Sequence, residues 1–426
     1  MSSRPPLSPV KIAGFSLLTL VLFAVVFEFG SWGLLRAFDA KMNTRYNRIA
    51  SGYSVFRTTP NFTFITNKTD PSQSDITTES HGFVHDTPLS EAKPEGTIRV
   101  FLNGGSALFG AGQAAVYEPA KKFPRGLYSY PLSIAGKLKA ILKEKRPDLD
   151  FEVINAAAYT KKMHQSIPDY LATISRMSPD FVINMDGYND LNAFSSGTPY
   201  ADLHEELQTY IDLEAAPRFP ETLSSYQVAK RIVGRLFVTP FATGLSIRVE
   251  DAPPSETVPH REYLKKKPEF VAASARFLDI VDHYTALMRQ DGVEFMFGLQ
   301  PMVDRGENKA LTESEAAWQR YVQSFKDEHP DYRLIIRYFF DDYLSDQLEA
   351  RVTKAGFRYV DFGRASQALS SDFQLFTDYC HLTVPGNEFI AQHMADFVLE
   401  KLASNGASES GPRSKLAFVA SDGGGQ

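Results

Sequence analysis

Thr97-Ile-Arg-Val-Phe-Leu-Asn-Gly-Gly-Ser-Ala-Leu-Phe-Gly110 is the stretch that decides how this chain folds. A β-branched, apolar run stops at two glycines and delivers Ser106, and helix-forming sequence follows. A strand that ends this way lifts a hydroxyl off the carboxyl edge of a sheet, where open α/β sheets place their chemistry. Gly-Gly-Ser is also an ordinary tight turn, so its meaning depends on what other segments bring to the same edge. Short apolar strands are predicted near residues 97–103, 151–155, 180–185, 293–299 and 357–361, with helical sequence between them. That alternation implies an α/β fold with a parallel sheet. Leu132, Ala135, Leu138, Ile141 and Leu142 mark the inner face of the helix after the first strand. The last helix begins near Thr383 as N-cap, with Pro385 in its first turn, and turns Ile390, Met394, Phe397 and Val398 to the core.

Two downstream motifs supply partners for a serine. Asp378-Tyr-Cys-His381 holds an acid and a histidine at i and i+3, which on one face of a helical turn lets the carboxylate hold one imidazole nitrogen while the other meets a nucleophile. Gly187-Tyr-Asn189-Asp190 follows an apolar run directly, at a predicted strand end. Cys380, the single cysteine, excludes an intrachain disulfide. Its position beside His381 raises a catalytic thiol as an option. Neighbouring residues on a turn point different ways, however, and the serine, base and acid already form a complete set.

With these motifs the chain resembles the SGNH (GDSL-like) hydrolase superfamily over roughly residues 97–402. Gly104-Gly-Ser106 stands where the family usually has Gly-Asp-Ser, with Gly105 in place of the aspartate, a variant that looks like one used by membrane-anchored relatives. Val153-Ile-Asn-Ala-Ala-Ala158 matches a block whose glycine N–H helps form the oxyanion hole, and offers Ala157 at that place. Gly187-x-Asn189-Asp190, and Asp378-x-x-His381 followed by Leu-Thr-x-x-Gly-Asn, match closely. The resemblance implies a three-layer α/β/α, flavodoxin-like domain with a five-stranded parallel sheet. It also implies Ser106 as nucleophile, His381 as base and Asp378 as the orienting acid. The Ser106 and Ala157 N–H groups and the Asn189 amide would then form the oxyanion hole, with Gly105, Gly187 and Asp190 supporting and Asp190 a structural acceptor. The implied activity is cleavage of an ester, an O-acyl or O-acetyl group of carbohydrate or lipid, without cofactor or metal. A sugar hydroxyl as acceptor would instead make an O-acetyltransferase, working with a membrane-bound acyl-transfer partner.

Composition sets bounds on the alternatives. The 426 residues are 43% hydrophobic and 23% charged, enough for one large domain with appendages. A formal charge of −6 without dense basic clusters argues against nucleic acid as partner. Gly105 and Gly110 have the spacing of a phosphate loop's glycines, but Ala111-Gly112 stands where Lys and Ser/Thr must reach phosphates and Mg²⁺, so a nucleotide enzyme is excluded. His164, His204, His260, His283 and His393 lack metal-ligand spacing. A non-catalytic SGNH-fold protein that binds or assembles surface polysaccharide is the remaining alternative, favoured by the missing glycine at Ala157.

Residues 1–11 form a short tail and 12–35 a retained membrane anchor. Ile12 to Phe27 alone reaches about 24 Å, whereas Ile12 to Leu35 reaches about 36 Å and exceeds the roughly 30 Å hydrocarbon core. Glu28 then lies toward one end, near Phe29 and Trp32, as a carboxylate reaching the interface. Bulky Phe27, Phe29 and Trp32 stand where a cleavage site needs small residues. Arg36, Lys41, Arg45 and Arg48 outnumber Arg4 and Lys11, so positive-inside counting favours a cytoplasmic domain. The resemblance implies the opposite side, with the domain outside the cytoplasmic membrane. The sequons at Asn61 and Asn67 would matter only in a eukaryotic secretory lumen. Residues 36–96 read as a stalk in which His81 serves packing or a turn, 97–404 as the hydrolase-like domain, and 405–426 as a disordered tail. Two insertions interrupt the domain, near 192–270 and 306–355. The first contains a helix over Ser224–Phe241 whose Lys230, Arg231 and Arg235 face away from Val228, Ile232, Val233, Leu236 and Phe237. Its basic face is solvated, or lies on anionic lipid or over the active-site mouth. The second insertion supplies two further helices.

Overall fold

The computed structural model describes residues 8–42, 48–51, 55–64, 75–112, 126–194, 223–226, 228, 268–305, 308–324, 341 and 343–408. Five parallel strands form the central sheet: β1 (Thr97–Gly104), β2 (Asp150–Asn155), β3 (Phe181–Asp186), β4 (Glu294–Leu299) and β5 (Arg358–Asp361). Each lies within a residue or two of its predicted place. The order is β5-β4-β3-β1-β2, the flavodoxin-like arrangement, in which the chain leaves β1 for one neighbour and returns on its other side. The crevice outside the carboxyl ends of β1 and β3 is therefore the topological switch point.

The strands are apolar because both faces are covered. Along β1, Val100 and Leu102 pack on one side with Val153, Ile183, Met185 and Met296. Phe101 packs on the other with Ile154, Val182, Phe295 and Phe297. The first face is covered by α3 (Ile134–Lys145) and the C-terminal α8 (Val384–Ser408), which also pack on each other. Ser133 caps α3 by accepting from Gly136 N at 3.3 Å. Thr383 caps α8 in the same way, through Gly386 N at 3.0 Å. Ile390, Met394, Phe397 and Val398 are all buried, as their spacing predicts, and each contributes about 1.5–3 kcal/mol by leaving water. Helix α8 continues through residues 405–408, which were expected to open the disordered tail.

The opposite face is covered by α5 (Pro268–Asp291) and α7 (Ser345–Lys354), with the irregular helical segment around residues 166–177. Residues 306–355 contain α6 (Glu313–Ser324) as well as α7. At the carboxyl end of β5, buried Arg305 donates to Asp341 at 2.8 Å and to both Asp361 oxygens at 2.6 Å. Burial alone would raise the Asp361 carboxyl, but Arg305 and Ser345 hold it below the usual carboxylate range. Of the helix expected over Ser224–Phe241, Ser224–Tyr226 and Val228 are helical. The remainder, with its basic residues, lies outside the described residues, as do His204, His260 and Asn67.

Among the described residues one helix, α1 (Pro9–Met42), is long and apolar enough over Pro9–Leu34 to span a membrane or act as a signal anchor. Glu28 on it accepts from the Ser224 backbone N–H and from Ser225 N at 3.0 Å, so its carboxylate caps the start of a helix in the first insertion. The stalk holds more order than its composition suggests. Residues 48–51 pair with 55–58, and Phe64 and Ile76 are buried against Val84 and Phe109. Val84 exchanges both backbone hydrogen bonds with Asn155, at 2.9 and 3.0 Å, on the outer edge of β2. His81 closes a turn as expected: its ring reaches Glu79 at 2.7 Å and Glu91 at 3.0 Å. Burial opposes its charge, but the two carboxylates outweigh that and raise its pKa.

Candidate active site

Two glycines deliver Ser106. A Cβ on Gly104 would stand 2.2 Å from the Met185 carbonyl oxygen, so only glycine lets the ends of β1 and β3 approach this closely. Gly105 then turns the chain into α2 (Ser106–Phe109), which Gly110 closes in the left-handed conformation at φ 103°. As the first residue of a helix, Ser106 has no intrahelical acceptor for its N–H. Its side chain is near a surface rather than on one, at 9% exposure.

His381 arrives from the other end of the sequence. Its Nε2 lies 2.9 Å from Ser106 Oγ and its Nδ1 lies 2.7 Å from Asp378 Oδ2. The spacing of three works through a tight loop, not the helical turn that i and i+3 suggest. Phe376 and Leu382 pair across it, and Thr377 N donates to the His381 carbonyl at 2.9 Å. Asp378 Oδ1 closes the loop from within by accepting from Cys380 N at 2.9 Å and His381 N at 2.8 Å. One carboxylate oxygen therefore shapes the loop while the other orients the imidazole. Both residues are buried, so these hydrogen bonds form away from competing water.

Cys380 is buried, with Sγ 3.7 Å from His381 Nδ1, the nitrogen that faces away from Ser106. Asp378, Cys380 and His381 bring ligand-capable atoms within 4.8 Å of one another, the one such grouping among the described residues. Its Nδ1 is already engaged by Asp378, so a metal would compete with that hydrogen bond.

The third motif meets the same edge. Gly187 follows β3, and Asn189 lies in the first turn of α4 (Tyr188–Phe194). A Cβ on Gly105 would stand 2.6 Å from Asn189 Nδ2, so the amide occupies the space that an aspartate at 105 would take. The same Nδ2 donates to the Lys161 carbonyl at 2.9 Å. Asp190 accepts from Met163 N at 2.9 Å and Gly187 N at 3.3 Å.

Ala157 departs from the expectation. It is buried in the block after β2, but its N–H donates to Asn155 Oδ1 at 3.1 Å. The Asn155 amide nitrogen in turn donates to the Leu108 carbonyl at 2.9 Å. The Asn155 side chain thus staples α2 to this loop, and the Ala157 N–H is engaged there and not presented beside Ser106.

Sequence reasoning missed several residues that hold the site. Glu315 on α6 is fully buried and accepts from Leu375 N at 2.7 Å and Phe376 N at 3.0 Å, at the foot of the His381 loop. Its other oxygen takes Lys309 Nζ at 2.7 Å. Tyr128 OH donates to the Leu382 carbonyl at 2.9 Å, and Gln300 Nε2 to the Cys380 carbonyl at 3.0 Å. Below Asn189, Asp186 is enclosed at the end of β3. Burial and neighbouring Asp190 push its carboxyl well above the usual range, against Lys161 and Asn184.

No family model matches the chain, and no curated protein matches it. Among solved structures it is similar to an acetyl xylan esterase, AlAXEase, at 11% identity over 71% of this chain and 100% of that one, with a TM-score of 0.37. An acetylxylan esterase from Geobacillus stearothermophilus matches at 10% identity over 71% and 94%, with a TM-score of 0.37. A protein described as a GDSL-like lipase, from Parabacteroides merdae, matches at 9% identity over 70% and 94%, with a TM-score of 0.36.

Proposed function

We propose that this chain is a membrane-anchored serine esterase of the SGNH type, which cleaves O-acyl or O-acetyl esters of carbohydrate or lipid. The observation that carries the reading is the buried relay from Ser106 Oγ through the His381 imidazole to Asp378, with separations of 2.9 and 2.7 Å. His381 Nε2 takes the hydroxyl proton as Oγ attacks the ester carbonyl. Asp378 keeps the other nitrogen protonated and stabilises the imidazolium that forms. The proton then passes to the leaving alkoxide; water, deprotonated by the same nitrogen, attacks the acyl carbon, and Ser106 Oγ leaves with the proton returned from His381. The developing oxyanion meets the Ser106 N–H and the Asn189 amide. The engaged N–H of Ala157 favours the second reading, a non-catalytic binding protein. Covalent labelling of the full-length protein by a serine-directed fluorophosphonate, lost in Ser106→Ala, decides between them: no labelling of the wild type would leave the binding reading.

Asn189 contributes only to charge that appears in the transition state. Asn189→Ala is expected to lower kcat by about 10²- to 10³-fold, some 2.7–4 kcal/mol, with a smaller change in KM. Steady-state kinetics on a short-chain aryl ester check this, and an unchanged kcat would remove Asn189 from the oxyanion site.

The catalytic domain belongs outside the cytoplasmic membrane on this reading. A phosphatase that is active only outside, fused after Ser408, is expected to be active, and a fluorescent protein that folds only inside is expected to be dark at the same position. The reverse pattern would move the substrate search to soluble cytoplasmic esters.

A further inference from the structure

A second buried charge, unused by the reaction above, lies beside the Ser106 edge. Lys161 is 1% exposed. Its ammonium donates to Asn103 Oδ1 at 2.5 Å, to the Ala156 carbonyl at 3.4 Å and to Asp169 Oδ2. Asn103 is the penultimate residue of β1, on the approach to Gly104-Gly105-Ser106, and Ala156 is the first residue after β2. The backbone carbonyl of the same lysine accepts the Asn189 amide, which follows β3. One residue thus joins the carboxyl ends of three adjacent strands. Asp186 also faces the ammonium from β3, and the Tyr284 hydroxyl from α5 accepts from Asn103 Nδ2 at 3.4 Å. Asp169 is the carboxylate in direct contact, so it carries the counter-charge.

We propose that Lys161 is the positioning residue of the oxyanion site: its ammonium locks the end of β1 to the turn after β2 while its carbonyl aims the Asn189 amide at the backbone beside Ser106. This rests on the serine-ester reading. An amide nitrogen has two hydrogens, and fixing one on the Lys161 carbonyl fixes the direction of the other. The amide reaches this position because Gly105 lacks a side chain: its Nδ2 stands 2.6 Å from where a Cβ at that residue would be. A donor contributes to catalysis by being held in place before charge develops, and a displacement of about 1 Å can cost about 10²-fold in rate.

In the full-length protein, purified in detergent, Lys161→Met keeps the stem and removes the charge. It is expected to lower kcat for a short-chain aryl ester by about 10²-fold with little change in KM. Because that change strands Asp169, the deciding protein is Lys161→Met/Asp169→Asn, in which thermal stability is expected to return and kcat is not. Adding Lys161→Met to Asn189→Ala is expected to cost little more than Asn189→Ala alone, since both act through one amide. A purely structural lysine gives the opposite results: kcat recovers with stability in the double variant, or the two losses multiply. Either would overturn the proposal. A wild type silent toward both ester and fluorophosphonate would sink the serine-ester reading and this role with it, whereas an active wild type and an unimpaired Lys161→Met would sink the role alone.

Discussion

Ser106→Ala and His381→Ala are each expected to lower ester turnover by about 10⁴- to 10⁶-fold, because relay members act as a unit and removing one removes the pathway for the proton. The Ser106 change deletes one hydroxyl from α2 and leaves the backbone bonds of Gly110 to Ser106 and Ala107 in place, so circular dichroism and the unfolding temperature should match wild type. The His381 change also frees Asp378 Oδ2 from its partner at 2.7 Å and carries some loss of stability, which makes the serine variant the cleaner of the two. Kinetics on an aryl acetate, with fluorophosphonate labelling as the second readout, provide the check. Undiminished turnover in folded Ser106→Ala would end the assignment of that hydroxyl as the nucleophile.

Lys309→Met is expected to have the largest effect on stability, about 3–5 kcal/mol, the cost of breaking a buried pair from one side. Both side chains of the Lys309–Glu315 pair are fully buried, and the Nζ–Oε2 distance is 2.7 Å. Without the ammonium, Glu315 keeps its bonds to Leu375 and Phe376 but holds an uncompensated charge in the interior. Removing that charge as well, in Lys309→Met/Glu315→Gln, should recover part of the loss: a glutamine carbonyl still accepts from Leu375 and Phe376, but its Nε2 cannot accept from Thr312 N as Oε2 does. Denaturant titration of the full-length protein measures this. A cost below about 1 kcal/mol for the single change would mean that solvent screens the pair as it does at a surface.

What the sequence made legible follows from local causes. Parallel strands covered on both faces are mostly apolar, so β1 to β4 stand out as short runs such as Phe181-Val-Ile-Asn-Met-Asp186. A serine after two glycines at a strand end and an Asp-x-x-His ahead of a capped helix are likewise local patterns, and the fold brings them to one edge. The geometry of the His381 loop was less legible, because a spacing of three fits a helical turn and a closed loop equally well. The choice is made by the Phe376–Leu382 pairing and the two N–H groups on Asp378 Oδ1. Lys161 and Glu315 were invisible for another reason. Nothing in Tyr-Thr-Lys-Lys-Met marks one lysine as enclosed and its neighbour as half-exposed, and α6 lies in what reads as an insertion. Burial of a charge is set by distant segments, Asn103 and Asp169 in one case and Leu375 in the other, which no local period records. The engagement of the Ala157 N–H was hidden differently: its acceptor, the Asn155 side chain, is only two residues away, and residue types alone do not record that it turns back on that N–H.

The pairing of Val84 with the outer edge of β2 bears on how the protein is to be handled outside its membrane. An uncovered, apolar edge strand is a template for another chain, and sheet proteins avoid aggregation by covering such edges. A soluble fragment cut at Thr97, where the central sheet starts, would strip Val84 from Asn155 and uncover the pocket filled by Phe64 and Ile76. Such a fragment should precipitate or oligomerise through β2. One that begins just after α1 keeps its own shield, so the segment that looks like a tether is also the protein's protection against self-association.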